Sequence, residues 1–330
     1  MEPMTGPIRW GIAGTGGIAA SFVTDFANLD GDDSGAEIVA VGSRSESSAS
    51  AFAESHGIGR AHASYEDLAS DPDVDAVYVG GIHTVHASQA VMFLDAGKHV
   101  LVEKPIALNL AQVDAMTDAA TRNDRFLMEA MWMRFNPAHI EMMKRIADGA
   151  IGEVRRVQAD FSFALPYSDD HRLWDREKGG GALLDLGIYP LNLAMWVLGP
   201  PARVEVAGRV AHGVDDEVSL LCAWESGATA TLTAGLSISG TLEGRIEGTN
   251  GAIDLPAPAH CTDHMTFRSA AGIEELEAEP AGLRHQVVEV HRCLRAGERE
   301  SPGMPWAASR AIIEVCDAAR AELGVHYDVD

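Results

Sequence analysis

Through its first 125 residues the chain alternates short apolar runs with amphipathic stretches. Ile8–Ala13, Glu37–Gly42, Asp75–Val79, His99–Glu103 and Phe126–Ala130 read as strands, and Gly17–Asn28, Ser47–His56, Val85–Ala96 and Ala111–Asn123 as helices. Strand and helix alternating at this spacing predict right-handed βαβ crossovers and a parallel sheet. Ala76-Val-Tyr-Val79 and Val100-Leu-Val102 are apolar at every position, as expected of strands covered on both faces. After a helix at Pro137–Asp148 the rhythm changes. Glu153–Phe163, Ala202–Val210, Val218–Glu225, Ala228–Ser239 and Thr241–Glu247 follow one another as strands, interrupted by a helix at Gly181–Leu198 and followed by one at Trp306–Leu323. In Thr229–Ser239, Thr, Gly and Ser alternate with Ala, Leu and Ile, so one face is polar; the apolar face meets either helices of its own chain or a second subunit. Thr249-Asn250-Gly251 reads as a tight primed turn with positive φ angles. The expected fold is α/β: a doubly wound parallel sheet in residues 1–130, and an α+β domain with an open, mostly antiparallel sheet in residues 131–330.

Composition narrows the partners. The 330 residues hold 25 Lys and Arg against 49 Asp and Glu, a net charge of −24. A protein that neutralises a phosphate backbone needs clustered cations in surplus, so a nucleic-acid partner is not expected, and the same field repels anionic lipid headgroups. No uninterrupted apolar run reaches the roughly 18 residues that a membrane span requires, and the N-terminal residues lack the pattern of a signal peptide, so a cytoplasmic location is expected. Cys222, Cys261, Cys293 and Cys316 share no C-x-x-C spacing and are expected to be reduced.

The first strand runs into Gly14-Thr15-Gly16-Gly17-Ile18-Ala19, a G-x-G-x-x-A sequence that opens a helix. The first glycine permits the turn, the second lets backbone approach a pyrophosphate, and the small alanine lets helix and strand pack closely. The helix N-terminus then offers N–H groups and a positive dipole end to the phosphates. These features define a Rossmann dinucleotide site with Gly14, Thr15, Gly16, Gly17 and Ile18 at the phosphates. At the end of the second strand, where NAD-preferring sites carry a carboxylate, the chain reads Ser43-Arg44. Ser43 can hydrogen-bond a 2′-phosphate and Arg44 can fork onto it, which favours NADP over NAD. The acidic residues Asp30, Asp32, Asp33 and Glu37 lie on the way into that strand and are poorly placed for the ribose.

Two further constellations carry chemistry. His99-Val-Leu-Val-Glu103-Lys104-Pro105 sets a carboxylate, an amine and a proline at the C-terminal end of a buried strand, where open α/β sheets bind ligands. Gly179-Gly-Gly181-Ala-Leu-Leu-Asp185-Leu-Gly-Ile-Tyr189-Pro190 places Asp185 and Tyr189 four residues apart, on one face of a helix. A phenol beside a lysine is a reasonable acid/base for hydroxyl oxidation. Taken with Met128-Glu-Ala-Met-Trp-Met-Arg-Phe135 and Arg172-Leu-Trp174, these segments resemble the glucose–fructose oxidoreductase and inositol dehydrogenase family over nearly the full length. Within it the likeness is greatest to the dimeric dihydrodiol dehydrogenases and the NADP-dependent D-xylose dehydrogenases.

The resemblance implies hydride transfer between a nicotinamide and a hydroxyl-bearing carbon of a sugar, polyol or trans-dihydrodiol. It implies Lys104 and Tyr189 as the catalytic pair with Asp185 as their orienting partner, and Trp132 and Phe161, with Asp185 and Tyr189, at the substrate. On the cofactor side it places His83, His86, Glu103, Lys104 and Arg134. Lys104–Pro105 is expected to shape the turn at the nicotinamide, where a cis bond is tolerable. The family's Thr-Pro before His83 is replaced by Gly81-Ile82, which alters the expected wall of the nicotinamide site. A homodimer or homotetramer built through the C-terminal sheet is expected. The alternative reading is a non-catalytic sensor that binds NAD(P) and sugar on the same fold. His260-Cys261-Thr-Asp263-His264 lacks the spacing of a zinc site and reads as a surface loop, so no metal is expected.

Overall fold

The computed structural model describes residues 1–33 and 35–329, with Asp32 described by its backbone alone. The chain forms two compact units, 1–132 with 282–310, and 133–281 with 311–330. The segment 282–310, which a division at residue 130 assigns to the second domain, therefore clusters with the first unit.

The first unit runs β1 (Arg9–Ala13), α1 (Gly17–Phe26), β2 (Glu37–Gly42), α2 (Glu46–His56), β3 (Arg60–His62), α3 (Tyr65–Ser70), β4 (Ala76–Val79), α4 (His86–Asp95), β5 (His99–Glu103), α5 (Leu110–Arg122) and β6 (Leu127–Ala130). The strands lie in the order β3-β2-β1-β4-β5-β6 and all run parallel. Every residue of β4, β5 and β6 is buried, in keeping with their apolar runs. Strand β3, with α3 after it, is the addition to the expected set. Its three residues carry no apolar pattern and are tied down by side chains instead: Arg60 Nε donates to Asp71 at 2.8 Å, and His62 Nε2 lies 3.0 Å from the same carboxylate.

The second unit contains α6 (Pro137–Ala147), β7 (Val154–Ser162), α7 (Ile188–Leu198), β8 (Arg203–Ala211), β9 (Val214–Ala223), β10 (Thr229–Gly235), β11 (Gly244–Gly248), β12 (Gly251–Leu255), β13 (His264–Ser269) and β14 (Gly272–Glu277). Its eight strands are ordered β14-β13-β12-β11-β7-β10-β9-β8, and only β7 and β10 pair in parallel. The α/β class and the open, mostly antiparallel second sheet are as expected, with three more strands than the pattern gave. Ala230, Leu232 and Ala234 are buried while Thr229 and Thr231 are exposed, so the apolar face of β10 is covered from within its own chain. A Cβ on Gly187, just before α7, would lie 3.3 Å from Ala234 Cβ. The stretch Arg176–Leu198 is long and apolar enough to pass for a membrane span by composition, but it is largely buried, as a core helix is.

One turn differs from its expected geometry. Residues 249–250 do link β11 to β12, yet neither Asn250 nor Gly251 has a positive φ. Gly251 is required by crowding instead, because a Cβ there would sit 2.3 Å from the Arg268 carbonyl. The primed geometry occurs at His212-Gly213, between β8 and β9, with φ of 56° and 84°.

Helix α8 (Arg284–Ala296) belongs to the first unit, and α9 (Trp306–Leu323) follows within the expected limits. Polar residues dominate α8, yet Val287, Val290 and Leu294 share one buried face. It docks through a chain of polar bonds. The Trp10 indole donates to His291 Nε2 at 2.9 Å, which leaves the proton on Nδ1 to donate to Asp33 at 2.8 Å. The Arg284 backbone N–H donates to Asp25 at 2.8 Å.

Candidate active site

Parallel register brings the carboxyl ends of the strands level in the first unit. Ala13 lies opposite both Gly42 and Val79, Val79 opposite Val102, and Glu103 opposite Ala130. The loops leaving these strands therefore meet at one edge, where ligands bind in doubly wound sheets. At Gly14 φ is +116°, its N–H donates to the Gly42 carbonyl at 3.0 Å, and a Cβ would lie 3.2 Å from the Gly80 carbonyl. Only glycine fits that position. Gly16 caps α1 with no side-chain bond, and a Cβ on Gly16 or Gly17 would meet nothing within 4 Å. The first amides of α1 thus face an open cradle lined by Thr15, Gly16, Gly17 and the exposed Ile18, a donor set that fits a pyrophosphate. Ala19 is buried 3.6 Å from where a Gly80 Cβ would stand, the close helix–strand packing that a small residue permits.

Ser43 is buried at the end of β2, and its N–H donates to the His62 carbonyl at 3.2 Å. Arg44 beside it is exposed and makes no hydrogen bond or ion pair among the described residues, so its guanidinium is available to an anion. Beyond β4, Gly80 and Gly81 stand where a side chain would strike Tyr78 and Val85, at 2.9 and 2.8 Å. His86 bridges this turn to the next: Nδ1 lies 2.8 Å from the Pro105 carbonyl and Nε2 3.1 Å from the Gly81 carbonyl. Burial, helped by the nearby His83 and Lys104, drives its pKa down to about 4. A neutral ring carries one N–H, and the shorter contact identifies it as Nδ1–H donating to Pro105. His83 is also buried, edge-on to His86 with centroids 5.7 Å apart.

Glu103 is a buried carboxylate rather than a surface partner. Tyr78 donates its hydroxyl to Oε1 at 2.7 Å, and the Lys104 backbone N–H donates to Oε2 at 3.1 Å. Lys104 is half buried at the strand end, and the Lys104–Pro105 bond is cis. The turn beyond is fixed by Glu129, which accepts from the Ile106 N–H at 3.0 Å and from the Ser309 hydroxyl at 2.6 Å. Trp132 is half buried at the end of the same unit.

In the second unit the glycines at 179–181 are compressed: a Cβ on Gly180 would stand 2.6–2.8 Å from the carbonyls of Leu173, Arg172 and Asp175. The chain then enters a π-helical turn, Leu183–Gly187, before α7, instead of one continuous α-helix. The wider turn removes Asp185 and Tyr189 from a simple four-residue face, and such insertions concentrate at functional sites. Leu183 N–H donates to the fully buried Asp215 at 2.6 Å, which anchors the π turn; burial pushes the Asp215 carboxyl up to about 7. Asp185 is buried and accepts from Arg172 Nη2 at 3.0 Å. Tyr189, also buried, lies with its ring 5.5 Å from Phe161 and 4.8 Å from His260, while Phe161 and His260 stack at 4.4 Å and 19°. Arg134 is buried in this unit, donating from Nε to Asn192 at 2.7 Å with its guanidinium over Trp196.

His260 corrects the reading of residues 260–264 as a surface loop, since its ring is half buried against Phe161 and Tyr189. Register explains the meeting. Gly244 lies opposite both Leu255 and Ala159, so the chain leaving β12 at Leu255 emerges beside Phe161. No local sequence signal announces this. The sequence shows Arg172 only as part of a motif and gives no sign of its link to Asp185. Among the described residues no group of three or more His, Cys, Asp or Glu side chains is arranged to hold a metal ion.

Comparison with known proteins places the chain in a lineage. Residues 8–131 match the oxidoreductase family with an NAD-binding Rossmann fold, and residues 139–254 match the GFO/IDH/MocA C-terminal domain. The chain is 36% identical over 337 residues to the trans-1,2-dihydrobenzene-1,2-diol dehydrogenase of Danio rerio, covering 98% of this chain and 99% of that one. It superposes on a 3-ketoreductase from Actinomadura kijaniata, solved in complex with NADP and TDP-benzene, with a TM-score of 0.82, 27% identity and coverage of 96% and 97%. An aldose–aldose oxidoreductase from Caulobacter crescentus gives a TM-score of 0.86 at 26% identity, with coverage of 96% and 98%. The glycine cradle and the two-unit fold thus belong to a nicotinamide-dependent oxidoreductase acting on CH–OH groups, and the chain is a member of the GFO/IDH/MocA family.

Proposed function

We propose that the protein is an NADP(H)-dependent oxidoreductase that interconverts a secondary alcohol or hemiacetal and the corresponding carbonyl on a sugar, polyol or trans-dihydrodiol. The observation that carries this reading is Tyr189, a buried phenol at the head of α7 beside a π turn whose Asp185 is charge-paired with Arg172. Tyr189, in its phenolate form, accepts the substrate hydroxyl proton at Oη in the oxidative direction, and the neutral phenol so formed returns it in the reductive one. Lys104 is assigned to donate to the substrate oxygen and stabilise the negative charge that develops on it. Asp185, held in place by Arg172, orients the pair, and Phe161 and Trp132 offer aromatic surface to the carbon skeleton. Bound nicotinamide supplies the hydride acceptor or donor. Gly14, Thr15, Gly16, Gly17 and Ile18 hold its pyrophosphate, Ser43 and the unpaired Arg44 hold the 2′-phosphate, and His83, His86, Glu103 and Arg134 support its nicotinamide side. His86, held neutral by burial, adds no charge of its own to that wall over the working pH range.

The open polar face of the second sheet, with opposite charges side by side as in Arg156 with Glu247 and Arg245 with Asp254, supports a homodimer or homotetramer built through it. The direct test is a panel of aldoses, polyols and trans-diols assayed with NADP+ at the NADPH absorbance band. Turnover of at least one class is expected; NADP+ binding with no turnover on any compound would replace the enzyme reading by that of a sensor.

A further inference from the structure

We propose that Asp215 is a positioning residue for the reaction: from strand β9 it caps the helical segment that carries Asp185 and Tyr189, and so fixes where the Tyr189 phenol stands. This deepens the reading above and rests on its assignment of Tyr189 to the reacting hydroxyl. The segment opens at Ala182, runs through the π turn Leu183–Gly187 and continues as α7. The first amides of a helix have no partner within it, and the residue before this one, Gly181, has no side chain to cap them. Nor is there room for one: φ at Gly181 is +124°, and a Cβ would stand 2.3 Å from Asp215 Oδ1. The cap comes instead from 32 residues along the chain, where Asp215 Oδ2 accepts from the Leu183 N–H at 2.6 Å.

Strand β9 is shaped to deliver that carboxylate. Its pairing with β8 slips between Arg209, opposite Glu217, and Val210, opposite Asp215. Val214, Asp215 and Asp216 are buried in succession at this irregularity, whereas from Val218 to Cys222 buried and exposed residues alternate. A bulge re-aims side chains in this way. Asp215 is fully buried, and its Oδ1 has no hydrogen-bond partner among the described residues. A carboxyl group held so costs stability, and an apolar side chain would serve packing better, so its presence calls for another role. A cap from the helix's own leading residue would move with the helix. One from β9 ties the π turn to the sheet, and the pairing of β9 with β10 and of β10 with β7 carries that tie to Phe161, whose ring lies 5.5 Å from Tyr189. The turn before the cap is held as well, because the Tyr327 hydroxyl donates to the Gly180 carbonyl at 2.7 Å.

The test measures kcat, KM and melting temperature for wild type, Asp215→Ala and Asp215→Asn, with NADP+ and a substrate found in the sugar and diol panel. Alanine removes the cap, and kcat well below the melting temperature is expected to fall roughly tenfold to a hundredfold with KM changed by less than about threefold. Asparagine offers its amide oxygen to the same N–H and is expected to bring kcat back to within about twofold of wild type. Ile253→Ala, a core truncation on β12 of the same sheet, is expected to lower the melting temperature with kcat unchanged, which separates lost position from lost stability. Gly181→Ala drives a Cβ against Oδ1 and is expected to reproduce the kcat loss; it carries the prediction alone if Asp215→Ala does not fold. Wild-type kcat in Asp215→Ala, or a loss that asparagine does not restore, would overturn the inference. Tyr189→Phe separates the two levels: if it leaves turnover intact, or if wild type turns over no member of the panel, the site reading fails and Asp215 with it. If Tyr189→Phe abolishes turnover while Asp215→Ala keeps the wild-type kcat, only the inference on Asp215 fails.

Discussion

The edge of the parallel sheet and the aromatic cluster of the second unit are built by opposite means. At the sheet edge the backbone shapes the cradle, with a glycine at φ +116°, an uncapped helix start and loops levelled by parallel register, while Ser43 and Arg44 are the side chains proposed to set the cofactor preference. In the second unit the backbone is packed away and side chains line the candidate site. Phe161, Arg172, Asp185, Tyr189 and His260 come from four separate segments and are held by a crowded glycine turn, a π turn and a buried carboxylate. On the proposed assignment, a site made of backbone is compatible with an acidic protein, because helix amides and a single cation would recruit the phosphates locally whatever the net charge of −24. A site made of side chains depends on each member.

That contrast can be broken by substitution. Lys104→Ala removes the side chain at the sheet edge assigned to stabilise charge on the substrate oxygen, and a fall in kcat of about 10²–10³-fold is expected with little change in NADPH affinity, measured by steady-state kinetics and fluorescence titration. Arg44→Ala comes next: NADPH binding is expected to weaken roughly tenfold to a hundredfold while NADH binding changes less than about twofold, and equal losses would remove the 2′-phosphate assignment. Gly14→Ala and Gly16→Leu form a paired test of the backbone cradle. The first strains a positive φ against the Gly80 carbonyl and is expected to cost about 1–3 kcal/mol of stability as well as cofactor affinity. The second enters open space, so affinity falls with the melting temperature unchanged.

The smallest effect is expected of the conservative substitution at Asp215. Its folded-state pKa, pushed up to about 7 by burial, lies above the ordinary carboxylate value, so its contribution to stability is full below about pH 4 and is lost as pH rises to about 7. Asp215→Asn abolishes that titration. Its melting temperature relative to wild type is expected to climb between pH 5 and pH 7 and then level off, with kcat unaffected; a constant difference across that range would show that Asp215 is ionised in the folded protein.

Legibility in the sequence divides along the same line. The first unit is legible because its signals are local: continuous apolar strands, G-x-G-x-x-A directly after β1, and Glu103-Lys104-Pro105 directly after β5 all announce their places within a few residues. Even there, β3 escaped, because three residues held by Arg60 and His62 to Asp71 leave no periodic trace. In the second unit Asp185 and Tyr189 stood out as a spaced pair, but the π turn that carries them did not. His260 could not be found at all, since its position depends on β12 pairing with β11 and β11 with β7, a relation that spans about a hundred residues of chain. Strands β12, β13 and β14 were missed for a related reason: the last is almost wholly exposed and carries glutamates where an apolar alternation would be sought. Helix α8 was hidden by its many polar residues, several of which, such as His291, are buried in bonds to Trp10 and Asp33.

Cofactor capture and proton transfer are assigned to different residues, and Tyr189→Phe tests that division most directly. NADPH dissociation and turnover are measured on the same preparation, with a substrate identified from the sugar and diol panel. The dissociation constant is expected to stay within about twofold of wild type while kcat falls by about 10²-fold or more; turnover close to wild type in that variant would contradict the division.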